Sequence, residues 1–180
     1  MTPFSLHGIG VSNGIAIGKA HLISNALLEV VQYDIDIKNI PHEVKRFEDA
    51  IAAVRADLNK IKLQLPSDSP GELGAFIDTH IMILNDKSLS VLPKSIIENE
   101  KCNAEWAIKK QMDSVVNQFD QIEDQYLRER KQDVIQVVER VIKILLGHSN
   151  QIAVKNKEKL TILVAHDISP ADALHFKDHK

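Results

Sequence analysis

The chain has 180 residues and carries 22 Lys and Arg against 25 Asp and Glu, for a formal net charge of −3. This length allows one sizeable hydrophobic core or two small ones, and the slightly acidic balance argues against a nucleic-acid-binding protein, which usually has a basic stripe. Because no window approaches the roughly 18 to 20 apolar residues of a membrane span and no basic segment precedes an apolar run at the N terminus, we expect a cytoplasmic protein without a membrane partner.

Residues 4 to 36 have the pattern of short β-strands. Three apolar stretches, FSLHGIGVS, IAIGKAHLI and LLEVVQYDI, are separated by turn signals such as Asn13-Gly14. We expect a strand in each stretch.

From Pro41 onward the apolar residues follow the period of a helix. Their alternating steps of three and four predict one helix of about 24 residues, with Pro41 in its first turn. The residues on its apolar seam are Val44, Phe47, Ile51, Val54, Leu58, Ile61 and Leu65.

Two later series repeat this spacing and predict two more helices, the second ending before Gly147. The first series is Ile108, Met112, Val115, Phe119 and Ile122, and the second is Leu127, Val134, Val138, Val141 and Leu145. Together with residues 72 to 98, they predict a bundle of at least four helices, antiparallel where the loops are short.

The last part of the chain returns to a β pattern. LTILVAHD, residues 160 to 167, predicts a strand, and Ser169-Pro170 predicts a helix through about Phe176. A strand and crossover helix normally lead to a second parallel strand, which does not follow here. The predicted fold class is therefore mixed α+β or α/β: a helical bundle over 37 to 146 inserted into an incomplete α/β domain formed by 1 to 36 and 147 to 180.

Three features suggest chemistry but have simpler interpretations. The glycines of GIGVSNGIAIGKA fit neither the Walker nor the Rossmann spacing, so we interpret them as turn glycines. His175 and His179 are four residues apart, as zinc ligands on a helix can be, but no third ligand lies in sequence reach and we predict no metal site. Cys102 is the only cysteine, which excludes an internal disulfide, and we expect no catalytic role for it.

The C-terminal end of the last predicted strand is the usual place for catalytic groups in α/β units. His166 and Asp167 leave the strand there, and Ser169 follows. The Ser169 hydroxyl can either cap the next helix or hydrogen-bond a reacting group, and the sequence leaves both roles open.

The segment DTHIMILND, residues 78 to 86, contains four consecutive large apolar residues. In a helix over residues 72 to 85, one core-facing stripe would consist of Leu73, Ile77, His80, Ile81 and Leu84. Ile83 lies about 100° and Met82 about 200° from Leu84 around such a helix, so neither belongs fully to that stripe.

Two interpretations of these remaining apolar residues are open. The next segment, SLSVLPKSII, could fold back and bury Met82 and Ile83. Alternatively, the two side chains form an interaction patch, with Glu72, Asp78 and Asp86 as an acidic rim for a basic partner.

Four segments occur in the order GIGVSNGIAIGKA, THIMILND, YLRER with Asp133, and ILVAHDISPAD. Together, from Gly8 to about Phe176, they resemble the N-terminal part of enzyme I of the bacterial sugar phosphotransferase system, the phosphoenolpyruvate–protein phosphotransferase. The resemblance implies an α/β phosphohistidine domain interrupted by a helical subdomain that docks the small phosphocarrier HPr.

The resemblance also implies roles for particular residues. Ser169 would lie beside the phosphorylated histidine, where the family usually has Thr. The docking face for an HPr-type carrier would comprise Glu72, Asp78, His80, Met82, Ile83, Asp86, Leu89 and Arg130.

The family's reaction transfers a phosphoryl group from phosphoenolpyruvate, bound with Mg²⁺ in a C-terminal barrel, to a histidine and then to HPr. The GGxTSHxAI-type loop that carries this histidine is absent, and we expect it after Lys180. The resemblance therefore implies an N-terminal fragment that is inactive alone, in which none of the eight histidines is phosphorylated. The intact parent would be a phosphotransferase that uses Mg²⁺ and dimerises through its C-terminal domain.

Two alternatives remain. A nitrogen-branch paralogue uses the same core with a different carrier, although the start at Met1, seven residues before Gly8, favours the sugar-system type. A non-catalytic helical interaction module would instead bind some other basic protein.

Overall fold

The computed structural model describes residues 7–23, 30–66, 71–147 and 161–165, which are mostly helical. The helices are α1 (Ile40–Leu63), α2 (Gly71–Asn85), α3 (Lys87–Ser90), α4 (Leu92–Glu100), α5 (Ala104–Asp120), α6 (Gln125–Glu129) and α7 (Lys131–Leu145), and a 3-10 turn at Ile37–Asn39 precedes α1. The strands are β1 (Lys19–Ile23) and β2 (Thr161–Ala165). Across these described ranges, no helix combines the length and the apolar character that crossing a membrane requires.

Helix α1 confirms the prediction from its apolar period. It has 24 residues, and Pro41 lies in its first turn, where the missing N–H costs no hydrogen bond. Five of the seven predicted seam residues are buried, and the outer two are half-buried; the buried ones are Phe47, Ile51, Val54, Leu58 and Ile61.

The core lies where α1, α5 and α7 pack together, with α2 and α4 closing it from the sides. Helix α7 presents Val134, Val138 and Val141 to this core, as its spacing predicts. Gly147 follows the helix with φ of +74°, the left-handed conformation that glycine adopts without steric cost and that commonly ends helices.

A cluster of polar side chains joins three helices at one end of the bundle. Arg46 of α1 donates hydrogen bonds to the carboxylates of Glu43 and Glu105, and also to the carbonyl of Leu145 at the end of α7, at 2.9 Å. Glu43 accepts a 2.7 Å hydrogen bond from the N–H of Ala104 in the first turn of α5. The carboxylate of one helix thus satisfies a free N–H at the N terminus of another, where negative charge is favourable.

The segment that leads into the bundle is attached at the same end. Asn103 donates a 3.1 Å hydrogen bond to the carbonyl of Val31 and accepts one of 3.1 Å from the N–H of Tyr33. The N–H of Ile35 donates to the carbonyl of Lys101 at 2.7 Å. The polar set Glu43, Arg46, Asn103 and Glu105, called here the Arg46 cluster, therefore holds the entering segment as well as the end of α7.

The two strands flank the helices in sequence and pair with each other in parallel. Lys19 lies opposite Thr161, and Ile23 lies opposite Ala165. A helical bundle between two paired parallel strands agrees with the predicted fold class, a bundle combined with an α/β part.

The predicted strands near the N terminus are only partly present. The described residues 7–18 contain no strand, so the prediction for FSLHGIGVS is wrong over 7–12, and IAIGKAHLI is a strand only at Lys19–Ile23. The described part of LLEVVQYDI has a single bridge, Asp34 to Cys102. An alternating apolar pattern becomes a strand only where a partner supplies hydrogen bonds, and Ile9, Val11, Ile15 and Ile17 remain exposed.

Candidate docking surface

Met82 lies on the face of α2 that points away from the core. Ile77, His80 and Leu84 are fully buried on the opposite side, whereas Met82 is 68% exposed. This division confirms the geometric prediction that one stripe of α2 cannot bury all its apolar residues.

The fold-back interpretation is wrong for Met82. Helix α3 does pack against α2, and Ile83 is half-buried against the core cluster. Met82 nevertheless stays exposed, so its apolar surface is available on the outside of the bundle.

Two of the residues assigned to the docking face are not on the surface. His80 is 0% exposed, with its ring 4.1 Å from the ring of Phe76, and Leu89 is 2% exposed. The expectation that these side chains form part of an accessible face is wrong, because the helical period places His80 in the core stripe and α3 turns Leu89 inward.

The three acidic residues of the predicted rim are exposed and differ in their local partners. Asp78 forms a 2.6 Å ion pair with Lys62 at the end of α1. Asp86 caps α3 by accepting a 2.8 Å hydrogen bond from the N–H of Ser88, and hydrogen bonds from the Ser88 hydroxyl and N–H lower the pKa of Asp86. Glu72 is exposed in the first turn of α2.

Arg130 stands at the junction between α6 and α7, and α7 in turn contacts α2. Its guanidinium forms a 3.3 Å ion pair with Asp133 and a hydrogen bond with the hydroxyl of Tyr126. Both Arg130 and Tyr126 remain exposed.

Two residues of α6 are exposed although the helical spacing does not mark them as surface residues. Tyr126 is 63% exposed, and Leu127 is about half exposed. The sequence YLRER does contain a signal for an exposed apolar pair, because an aromatic and an aliphatic residue stand next to each other before two arginines. The spacing instead predicts that Leu127 belongs to the core seam of the last helix, and that prediction is wrong.

Several residues singled out from the sequence lie outside the described residues. They are His166, Asp167, Ser169, His175 and His179. In the described ranges, no three His, Cys, Asp or Glu side chains are grouped so that they could hold a metal ion. Cys102 is buried in the core, and burial raises the pKa of its thiol.

Comparison with known proteins defines the class to which this arrangement belongs. Residues 7–130 match the family described as PEP-utilising enzyme, N-terminal. The phosphoenolpyruvate-protein phosphotransferase of Cupriavidus necator is 48% identical over 97% of this chain, and that of Bacillus subtilis is 32% identical over 93%.

Solved structures show the same architecture. The solution structure of an enzyme I protein superposes with a TM-score of 0.74 at 26% identity, covering 91% of this chain and 66% of the other. The N-terminal domain of a nitrogen enzyme I superposes with a TM-score of 0.69 at 21% identity, covering 90% of this chain and 65% of the other, which shows a shared fold.

The bundle and its paired strands thus share the architecture of these enzyme I structures. The chain belongs to the family of PEP-utilising enzymes, N-terminal domain. It spans 31% of the length of the Cupriavidus relative and 29% of the Bacillus relative.

Proposed function

We propose that this chain is the phosphocarrier-docking, N-terminal part of a phosphoenolpyruvate–protein phosphotransferase. The observation that carries the proposal is the exposed Met82 on a helix whose other face is buried, in a chain of the PEP-utilising family. The proposed docking surface consists of Met82, Ile83, Glu72, Asp78, Asp86 and Arg130.

The chemistry of this surface suits a small basic protein that binds and leaves. Met is an adaptable apolar contact, and burying Met82 would contribute roughly 1.5–3 kcal/mol. The surrounding carboxylates attract a basic partner and increase the rate of encounter more than the final affinity. Because association itself costs several kcal/mol, one such apolar anchor with a polar rim supports a transient complex.

A transient complex is what a phosphoryl relay requires. A neutral imidazole is a competent nucleophile and then a good leaving group, so one histidine can accept a phosphoryl group and pass it to a histidine of the carrier. In the proposed intact enzyme, the accepting histidine lies beyond Lys180, Ser169 lies beside it, and phosphoenolpyruvate and Mg²⁺ bind in a separate C-terminal domain that also forms the dimer. We place this enzyme in the cytoplasm, where it would serve sugar uptake.

The test is a titration of the ¹⁵N-labelled chain with an HPr-type phosphocarrier. We expect chemical-shift changes along residues 72–86 and near Arg130. The variant Met82→Asp should weaken binding at least tenfold while leaving the fold intact, since burial of the side chain is lost and a charge is added.

Ile37 offers a matched control, because it is 67% exposed in the turn before α1. Ile37→Asp should bind the carrier as the wild type does. If a folded Met82→Asp variant bound the carrier with wild-type affinity, the proposed docking surface would be wrong. Tighter binding to a nitrogen-branch carrier than to HPr would instead favour the paralogue, and no binding to either carrier would favour an unrelated interaction module.

A further inference from the structure

The backbone of Arg130 is held in place at the junction of two helices. Its N–H donates to the carbonyl of Leu127 at 3.1 Å, and its carbonyl accepts from the N–H of Asp133 at 3.1 Å. The Cα of Arg130 therefore has little freedom, and the position of its charge depends on the side chain.

The guanidinium of Arg130 contacts two side chains, those of Tyr126 and Asp133. Its Cζ lies 4.6 Å from the centre of the Tyr126 ring, and Nη2 donates to the Tyr126 hydroxyl. Nη1 donates to Asp133 Oδ2 at 3.3 Å. The Asp133 side chain is itself mostly buried, at 14% exposed, so surrounding residues restrict the position of its carboxylate.

These contacts leave part of the guanidinium open to a partner. The Arg130 side chain is 48% exposed, and the two hydrogen bonds use two of its five N–H donors. A surface arginine normally loses many side-chain conformations when it binds, and restricting them beforehand reduces that cost.

We infer that Tyr126 is a positioning residue, which orients the Arg130 guanidinium for the carrier before the carrier arrives. Tyr126 acts through the face of its ring and through its hydroxyl, while Asp133 holds the other edge of the guanidinium. This inference rests on the proposed function, because it assigns a role within the same docking surface.

A double-mutant cycle separates positioning from direct contact. In the wild-type background, Tyr126→Leu should weaken binding of an HPr-type carrier about three- to tenfold, because the cation–π contact and the preorganisation are lost. In an Arg130→Ala background, the same substitution should have almost no effect. An equal loss in both backgrounds would overturn the inference, since it would mean that Tyr126 contacts the carrier itself.

Conservative variants distinguish the contributions of the ring and the hydroxyl. Tyr126→Phe keeps the ring and should lose only part of the affinity, whereas Tyr126→Trp offers a stronger cation–π surface and should restore most of what Tyr126→Leu loses. Equal affinities for the Leu, Phe and wild-type proteins would contradict a positioning role.

A measurement on the free protein keeps this inference separate from the proposed function. The Nε–H signal of Arg130 should be shifted by the Tyr126 ring current, and it should move toward its random-coil position in Tyr126→Leu. An unchanged signal would overturn the positioning role even if the carrier binds. If the wild type binds no carrier while this signal moves as expected, the proposed function is wrong. The role of Tyr126 in carrier binding is then wrong as well, although Tyr126 still orients Arg130 in the free protein.

Discussion

Arg46 of α1 and Glu105 of α5 face each other through two hydrogen bonds, Nη1 to Oε1 at 2.8 Å and Nη2 to Oε2 at 2.7 Å. This parallel, two-point geometry is the strongest arrangement available to an arginine and a carboxylate. The Glu105 side chain is 6% exposed, so removal of Arg46 would leave a buried carboxylate without its counter-charge, whereas removal of Glu105 would leave Arg46 with Glu43 as its remaining carboxylate partner.

The first prediction is that Glu105→Gln lowers the free energy of unfolding by about 2–3 kcal/mol, because removing one member of a buried ion pair costs more than the pair itself contributes. The loss is smaller than for a fully buried pair, since Arg46 is partly exposed. Chemical denaturation measures this loss. Asp113→Asn is the matched control on the same helix, since Asp113 pairs with Lys109 at 2.7 Å on the surface. The control should change stability by less than about 1 kcal/mol. Equal losses of stability in the two variants would contradict the prediction that the buried ion pair matters more for stability than the exposed one.

The second prediction concerns pH. Burial alone would raise the pKa of Glu105, but hydrogen bonds from Arg46, from its own backbone N–H and from Asn103, together with the charge of Arg46, lower it below its ordinary 4.5. Since the unfolded chain then binds more protons, the stabilisation is present above pH 4.5 and is lost as pH falls through the lower folded-state pKa.

Urea denaturation between about pH 5 and about pH 3 provides the measurement for this second prediction. The free energy of unfolding should decrease with falling pH more steeply in the wild type than in Glu105→Gln, which has no carboxyl at this position. Parallel pH profiles for the two proteins would show that Glu105 titrates normally in the folded state.

The third prediction is that His80→Ala lowers stability rather than carrier affinity. Truncating a fully buried ring packed against Phe76 should cost about 2–4 kcal/mol. Thr79→Ala is the control on the adjacent position, where the hydroxyl only donates to the carbonyl of Ala75 on the surface. It should cost less than about 0.5 kcal/mol.

At a temperature where His80→Ala is still folded, calorimetric titration should give a carrier affinity closer to the wild type than to Met82→Asp. If His80→Ala instead lost as much carrier affinity as Met82→Asp and kept its stability, the prediction would be wrong and His80 would belong to the docking surface.

The fourth prediction separates the charge of Asp86 from its role as a helix cap. Asp86→Asn keeps an oxygen that accepts from the Ser88 N–H, so stability should stay near the wild type, whereas Asp86→Ala should lose about 0.5–2 kcal/mol. Both variants should slow association with a basic carrier at low salt, and stopped-flow kinetics would show it. An Asn variant as unstable as the Ala variant would mean that the cap requires the charge.

The helices can be predicted because their signal is local. The seam of α1 and the apolar positions of α7 repeat every three or four residues, and burial follows that period. The same period places His80 in the core stripe of α2 and Met82 outside it. The family resemblance assigns His80 to the docking face, and the structure agrees with the period instead.

The Arg46 cluster could not be predicted from the sequence. Arg46 bonds residues 59 and 99 positions away, and no local pattern identifies which of many Glu and Asn residues meet at such distances. The missing strand over 7–12 has a related cause, because alternation indicates that a segment can pair but not that a partner is adjacent.

The attachment of the bundle at the Arg46 end has a mechanical consequence. The entering segment and the end of α7 both meet this cluster, and Lys62, the ion-pair partner of Asp78, lies about 24 Å farther along α1 at about 1.5 Å per residue. A turn of about 10° around the attached end would sweep Lys62 through about 4 Å, more than the length of a hydrogen bond. In the proposed complex, a carrier docked near the far end of α1 would therefore move farther than one beside Arg46 for the same rotation.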